Sequence, residues 1–191
     1  MNAEILAQAM KSCGLRFLEF KRGTGIPPYL AGMVTSCRPD QGRLDRTVAL
    51  NDPALVSKAN ADWFDLATDH GLFSVGRQFL LSISVPHPDA ADDTDVEGVW
   101  VLVELLDSWD VMGAGCAAGV TGSEYGRPAF VMTALDGSVF AQGTVWQGSI
   151  GTAVLPHPHR VQSLRDVASL NVGKPYRTAA ENEDTLAWLA R

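Results

Sequence analysis

Three clusters of side chains in this 191-residue chain have types and spacing that could do chemistry. The first centres on Cys116, in the run Gly113-Ala114-Gly115-Cys116-Ala117-Ala118-Gly119. Glycines on both sides let the backbone turn tightly, which would expose the sulfur and free N–H groups to hold an oxyanion. His70, preceded by Asp69, is the candidate base that would turn this thiol into a thiolate nucleophile, giving a cysteine-dependent hydrolase. The competing expectation is a small buried cysteine inside a packed turn. The second cluster is His157 and His159, on either side of Pro158. Imidazoles two residues apart on a strand share one side of the pleat, where they could face a metal ion or a small molecule. Pro156 and Pro158 favour instead an extended connector whose rings face solvent. The third cluster is acidic: Asp89, Asp92, Asp93 and Asp95 follow His87. Carboxylates could gather a hard cation, but the glycine and closing glutamate of a helix–loop–helix calcium site are missing. Asp107 and Ser108 follow an apolar run that contains Glu104, and they read as turn formers.

Some of these residues carry resemblances to known families. His70 preceding Cys116 resembles the order of base and nucleophile in chymotrypsin-like viral cysteine proteases. Gly23-Thr24-Gly25, with Met33-Val34-Thr35-Ser36-Cys37 beyond it, is similar to the opening hairpin of trypsin-like serine proteases. Gly122-Ser123-Glu124-Tyr125-Gly126-Arg127-Pro128, leading to Val145-Trp146-Gln147-Gly148, resembles their nucleophile loop and the strands after it. That likeness implies a double barrel. No histidine follows Cys37, and Tyr125 stands at the nucleophile, so the implied relative is degenerate and inactive. Gly151, five residues, then His157-Pro158-His159 resembles the first half of the cupin metal motif, without the glutamate expected a few residues later.

The elements that must position these groups follow from periodicity and punctuation. Residues 3–12 carry Ile5, Leu6, Ala9 and Met10 at helical spacing and stop before Gly14. Residues 15–20 read as a strand, 29–35 as a second one, and 38–46 as a polar loop. A helix over 53–68 is capped by Asn51 or Asp52 and ended by Gly71, with Leu55, Ala59, Trp63, Leu66 and Ala67 as its buried stripe. Strands follow at 78–85 and 99–106, the latter apolar enough to be buried on both faces. The intervening 86–98 reads as an exposed acidic connection. Asp136-Gly137 between 128–134 and 138–146 predicts a tight hairpin, and 148–155 adds a strand. Val161, Leu164, Val167 and Ala168 form a helical stripe, and Thr178 with Glu181 matches a capping box before a last helix.

Length and charge narrow the class. A chain this long buries about 70% of its unfolded surface and sustains one core without staples. The expectation is one α+β domain over residues 1–191: a mostly antiparallel sheet with three or four flanking helices at its ends or on one face. Twenty-two acids against 15 Lys and Arg give a net charge of −7, which opposes binding to phosphate backbones and anionic membranes. Residues 1–13 lack the basic-then-apolar pattern of a leader, and no apolar run approaches the ~20 residues of a membrane span. Three widely spaced cysteines, Cys13, Cys37 and Cys116, give neither a disulfide framework nor a metal spacing and point to a reducing cytoplasm. No complete catalytic set emerges and no cofactor is implied. The expected function is therefore a non-catalytic cytoplasmic module (a regulator, chaperone or immunity-type inhibitor) that binds another, basic protein. Asp92, Asp93 and Asp95 are its contact charges, and Trp109 is the tryptophan expected to be exposed.

Overall fold

The computed structural model describes residues 3–86, 96–123 and 125–191. The chain runs α1 (Ala3–Ser12), β1 (Leu15–Lys21), α2 (Pro28–Ala31), β2 (Leu44–Ala49), α3 (Leu55–Asp69), β3 (Gln78–Pro86) and β4 (Val96–Leu105). It continues through α4 (Ala114–Ala117), β5 (Val131–Thr133), β6 (Val139–Trp146), β7 (Ser149–Pro156), α5 (Gln162–Asn171) and α6 (Ala179–Leu189). All seven strands join one antiparallel sheet in the order β1-β4-β3-β5-β6-β7-β2. No helix among the described residues is long and apolar enough to cross a membrane.

The sheet is apolar on both faces. Phe79, Leu81, Val101, Val103 and Ala141 feed one core, shared with Leu6 and Met10 of α1 and Trp63 of α3. Their strand neighbours Leu80, Trp100, Phe140 and Leu155 feed the other, shared with Leu30 of α2, Leu164 of α5 and Trp188 of α6. Alternation along a strand sends successive side chains to opposite faces, so these strands need a cover on each side. The helices accordingly lie on both faces rather than on one. The sheet is also single and open at β1 and β2, which departs from the double barrel that the trypsin-like resemblance implies.

Local signals explain most boundaries. Gly14 ends α1 with φ +79° and Gly71 follows α3 with φ +77°, a conformation that glycine adopts without steric cost. Asp52 accepts the Ala54 N–H at 2.8 Å ahead of α3. Gly137 turns the β5–β6 hairpin at φ +72°. The capping box of α6 is complete: Thr178 Oγ1 accepts the Glu181 N–H at 3.1 Å, and Glu181 accepts the Thr178 N–H at 3.0 Å.

Three segments differ from their sequence reading. The connection expected over 86–98 is strand at both its described ends, with Pro86 in β3 and Val96–Gly98 in β4, and Glu97 is buried rather than exposed. Residues 29–35 form α2 and a 3-10 turn (Val34–Ser36) instead of a strand. Pro28 starts the helix at a first-turn position, and Ile26, Leu30, Ala31 and Val34 are buried at helical spacing. The polar stretch 38–46 ends inside strand β2, an edge strand whose only fully buried residue is Val48. An edge strand with charged Asp45 and Arg46 resembles a loop in composition.

The longest ladder, β3 on β4, runs from Gln78↔Glu104 to Pro86↔Val96. On its outer side β4 is paired by β1 only as far as Lys21↔Trp100. On its outer side β3 is paired by β5 only at Leu80↔Thr133 and Leu81↔Met132. Beyond those points the two strands have only each other among the described strands. They form a two-stranded arm over Ser82–Pro86 and Val96–Val99.

One glycine of the 113–126 run tests how tightly this frame is packed. A Cβ on Gly122 would lie 2.5 Å from the Cys116 carbonyl oxygen and 2.6 Å from its Cα, both backbone atoms that cannot swing away. Gly122→Ala is expected to lower the unfolding free energy by about 1–3 kcal/mol in urea denaturation. Gly76→Ala, whose Cβ would meet nothing nearer than the Gln78 side chain at 3.7 Å, is expected to change it by less than about 0.5 kcal/mol.

Candidate functional site

The glycine-dense segment is a packed turn built around a carboxylate. Asp110 accepts from Asn60 Nδ2 of α3 at 2.6 Å, from the Gly113 N–H at 2.8 Å and from the Ala114 N–H at 2.9 Å. Its own N–H reaches the Cys13 carbonyl at 3.0 Å, while Asn60 Oδ1 accepts the Met112 N–H at 2.9 Å. One residue therefore ties α3, the turn after α1 and the start of α4 together, the first and last through its carboxylate and the second through its backbone N–H. The N–H groups that could have held an oxyanion are engaged: Gly115 donates to Asp110 O, and Ala117 to Gly113 O.

Cys116 sits inside this turn at 1% exposure. Its sulfur contacts the carbonyls of Val111 and Thr121, both at 3.5 Å, and the Thr121 hydroxyl at 3.8 Å. His70 lies at the C-terminal end of α3 and is not among these partners. Burial pushes the Cys116 thiol up, the Cys37 thiol up, and that of Cys13 up to about 11. A nucleophilic cysteine requires a shift in the opposite direction.

The two histidines do share a corner. Their rings are 6.2 Å apart, with His157 in the left-handed region at φ 51° as the lead-in to a 3-10 turn (Pro158–Arg160). Desolvation, then the charges of Arg160, His157, Arg191 and Arg165, hold His159 below the usual imidazole range. Surroundings this cationic oppose a metal ion at the pair. Among the described residues, no group of three or more His, Cys, Asp or Glu side chains is placed to hold one.

The remaining sequence candidates divide. Asp92, Asp93 and Asp95, with His87 and Asp89, lie outside the described residues. Trp109 does not stand free: it is half-buried, stacked on Phe64 at 5.1 Å and edge-on to Trp63 at 5.2 Å. The aromatic cluster of α3 draws it inward despite its acidic neighbours. Asp107 and Glu104 form ion pairs with Arg77 and Arg16, at 3.1 and 3.2 Å.

A groove that sequence reading missed lies at the base of the β3–β4 arm. It measures about 270 Å³ and is lined by Tyr29 and Gly32 at α2, Ser82 of β3, Val96 and the buried Glu97 of β4, Val131 of β5 and Tyr176 before α6. One side is held firmly. The Arg177 guanidinium stacks 3.7 Å above the Tyr29 ring and donates to Glu181 at 3.1 Å, and the Tyr29 hydroxyl meets the Thr185 hydroxyl at 3.2 Å. Burial pushes the Tyr29 phenol up. The rim is open, with Tyr176 62% and Val96 52% exposed. Beside the groove, Asp184 of α6 is buried and accepts the Gly25 N–H at 2.7 Å, and desolvation pushes its carboxyl up. The capping box gave away Glu181, but no local pattern joins Tyr29, Ser82, Val131 and Tyr176, which meet only through strand order.

Two measurements check these placements. With iodoacetamide at neutral pH, Cys116 is expected to react no faster than Cys13 or Cys37. All three should label at least ~10-fold more slowly than in the urea-unfolded chain. Asp110 supplies a pH test. Burial raises its carboxyl, but Asn60 and the two N–H groups outweigh burial and hold it below the usual carboxylate range. A lowered native pKa stabilises the fold above the unfolded value of about 3.9, and that stabilisation is lost as pH falls through the native value. Between about pH 5 and pH 3, the wild type is therefore expected to lose more unfolding free energy than Asp110→Asn.

No protein-family model, curated protein or solved structure matches this chain.

Proposed function

We propose that the protein is a non-catalytic binding module that engages another protein through the β3–β4 arm and the groove at its base. The observation that carries this reading is the arm itself. Ser82–Pro86 and Val96–Val99 run past the ends of β5 and β1, leaving the outer edge of β3 without a strand among the described residues. Unpaired strand edges are templates for another chain, and proteins commonly blunt those they do not use. The terminal edge β1 carries such protection: a bulge between Phe17 and Glu19, and the charges of Arg16, Glu19 and Lys21. The β3 segment Ser82-Ile83-Ser84-Val85 carries no charge at all.

Charge supports the choice of partner. The chain carries −7 overall, and residues 87–95 contain four acids and no Lys or Arg. Such a field steers a basic partner toward the arm and repels nucleic acid. The test is affinity capture from extracts of the source cells. A captured protein should be released as salt approaches ~1 M, where the Debye length is ~3 Å. It should also be retained at least ~10-fold less well by Asp92→Asn with Asp93→Asn and Asp95→Asn. Capture that is indifferent to both salt and the triple substitution overturns the reading.

A further inference from the structure

We infer that the corner between β7 and α5 binds a small molecule through a phosphate monoester group, held by His157 and Arg160. The site shares no residue with the groove at the β3–β4 arm, so its test is independent of the binding-module reading.

The local charge is of one sign. A hollow of about 380 Å³ opens here, lined by Gln41, Pro156, His157, Arg160, Val161 and Gln162. Its ionisable lining is basic throughout, whereas Glu97 and Glu181 accompany Arg177 in the groove. The side chains behind it are basic as well. The His159 ring stands 6.2 Å from that of His157, and the charges that act on it are those of Arg160, His157, Arg191 and Arg165. Elsewhere in this acidic chain, Arg16, Arg38, Arg43, Arg46, Arg77 and Arg177 each form an ion pair with a carboxylate. Among the described residues Arg160 and Arg165 form none, and Arg165 donates instead to the His159 and Leu189 carbonyls. The acids of the neighbouring elements are engaged apart from the hollow. Asp166 of α5 accepts from Gln162 Nε2 at 2.8 Å, and Asp40 pairs with Arg38 at 3.1 Å. Asp136 accepts the Ser138 N–H at 2.9 Å and feels the charge of Arg191, as does Asp184. Gathered like charges repel one another, and an anion among them removes that repulsion.

Two further features suit a phosphate group. The guanidinium of Arg160 presents a planar fork of donors that matches two phosphate oxygens, and the neighbouring imidazoles favour a dianion by taking up a proton. The ten-residue helix α5 adds its positive end: Val161 gives no side-chain cap, the first turn holds no acid, and Val161 and Gln162 both border the hollow. The volume exceeds that of a bare ion, and Pro156 and Val161 leave an apolar wall for the organic body of a small monoester. A polyanion is repelled by the net charge of −7 before it reaches the corner.

The test is NMR titration of the isotope-labelled full chain with phenyl phosphate and with inorganic phosphate, at constant ionic strength. Saturable shifts are expected at the His157 and His159 rings and at the Gln162 and Ser163 amides, with phenyl phosphate at least ~3-fold tighter. Arg160→Gln, at an exposed side chain, should weaken phenyl phosphate at least ~5-fold, and Arg38→Gln, at an arginine paired with Asp40, by less than ~1.5-fold. Sulfate, a dianion at every pH used, should raise the His159 pKa at saturation, because a bound anion favours the imidazolium. Shifts spread evenly over the basic side chains, no saturation at tens of millimolar, equal affinity of wild type and Arg160→Gln, or a His159 pKa unmoved by sulfate each overturn the inference. Equal affinity for phenyl phosphate and inorganic phosphate reduces the corner to an adventitious ion only and overturns the monoester assignment.

Discussion

A sheet that is apolar on both faces cannot be left with one face in water, and most of this architecture follows from that constraint. Leu80, Trp100, Phe140 and Leu155 alternate with Leu81, Val101, Ala141 and Val154 along the central strands, and all eight are buried. Exposing the first four alone would forfeit on the order of 10 kcal/mol at about 1.5–3 kcal/mol each, as much as a whole domain's net stability. Both covers are therefore obligatory, and the second is assembled from distant pieces of chain. The Trp100 indole N–H donates to the Ile26 carbonyl, Asp184 of α6 accepts the Gly25 N–H, and the Arg191 guanidinium reaches the Asp136 and Thr24 carbonyls. These bonds fasten the 24–26 loop beneath the last helix. They also account for Asp184, a carboxylate that stays buried and accepts a backbone N–H.

The same packing decides which reactive residue types keep their reactivity. A thiol among glycines looks like a nucleophile only while the glycines are read as freedom. Here they are close approach: a Cβ at Gly115 would lie 2.4 Å from Thr121 Oγ1, and one at Gly113 would lie 2.5 Å from Asp110 Oδ2. The turn closes around Cys116, desolvates it and raises its pKa, as it does for Cys13 beside it. Asp110 is occupied in the same way, with three donors on one carboxylate fixing a loop. Residue type alone does not separate these structural groups from catalytic ones; the environment does.

What could be read from the sequence was local. The α3 stripe, the Asp136-Gly137 turn, the Thr178–Glu181 box and the continuous apolar run of β4 each concern residues within one or two turns of one another. Each has its expected form in the structure. In residues 29–35, β-branched Val34 and Thr35 suggest a strand, while tertiary burial of Leu30, Ala31 and Val34 selects a helix. β2 was hidden because an edge strand buries one face weakly, and its Arg46 is turned toward Asp62 and Asp65 of α3. The groove was out of reach for a different reason. Tyr29, Ser82, Val131 and Tyr176 come from four separated segments, and only the sheet order brings them together.

The early end of the β5–β3 pairing has a traceable origin in that order. β5 keeps its contact with β6 past the point where it leaves β3: Gly143 donates its N–H to Phe130 O at 3.0 Å. The Phe130 ring lies on Gly143, where a Cβ would come within 2.1 Å of it, so the glycine admits the ring to the core and holds residue 130 against β6. Residues 127–129 are taken by the glycine-dense segment, through Ala129 N–H to Thr121 O, Ser123 N–H to Arg127 O and the Gly122↔Pro128 bridge. Those residues would otherwise continue β5 along Ile83–Pro86. The packing that buries Cys116 is thus the packing that draws residues 127–129 away from β3, so the feature most suggestive of an enzyme in the sequence serves, in the fold, to end the pairing of β5 on β3.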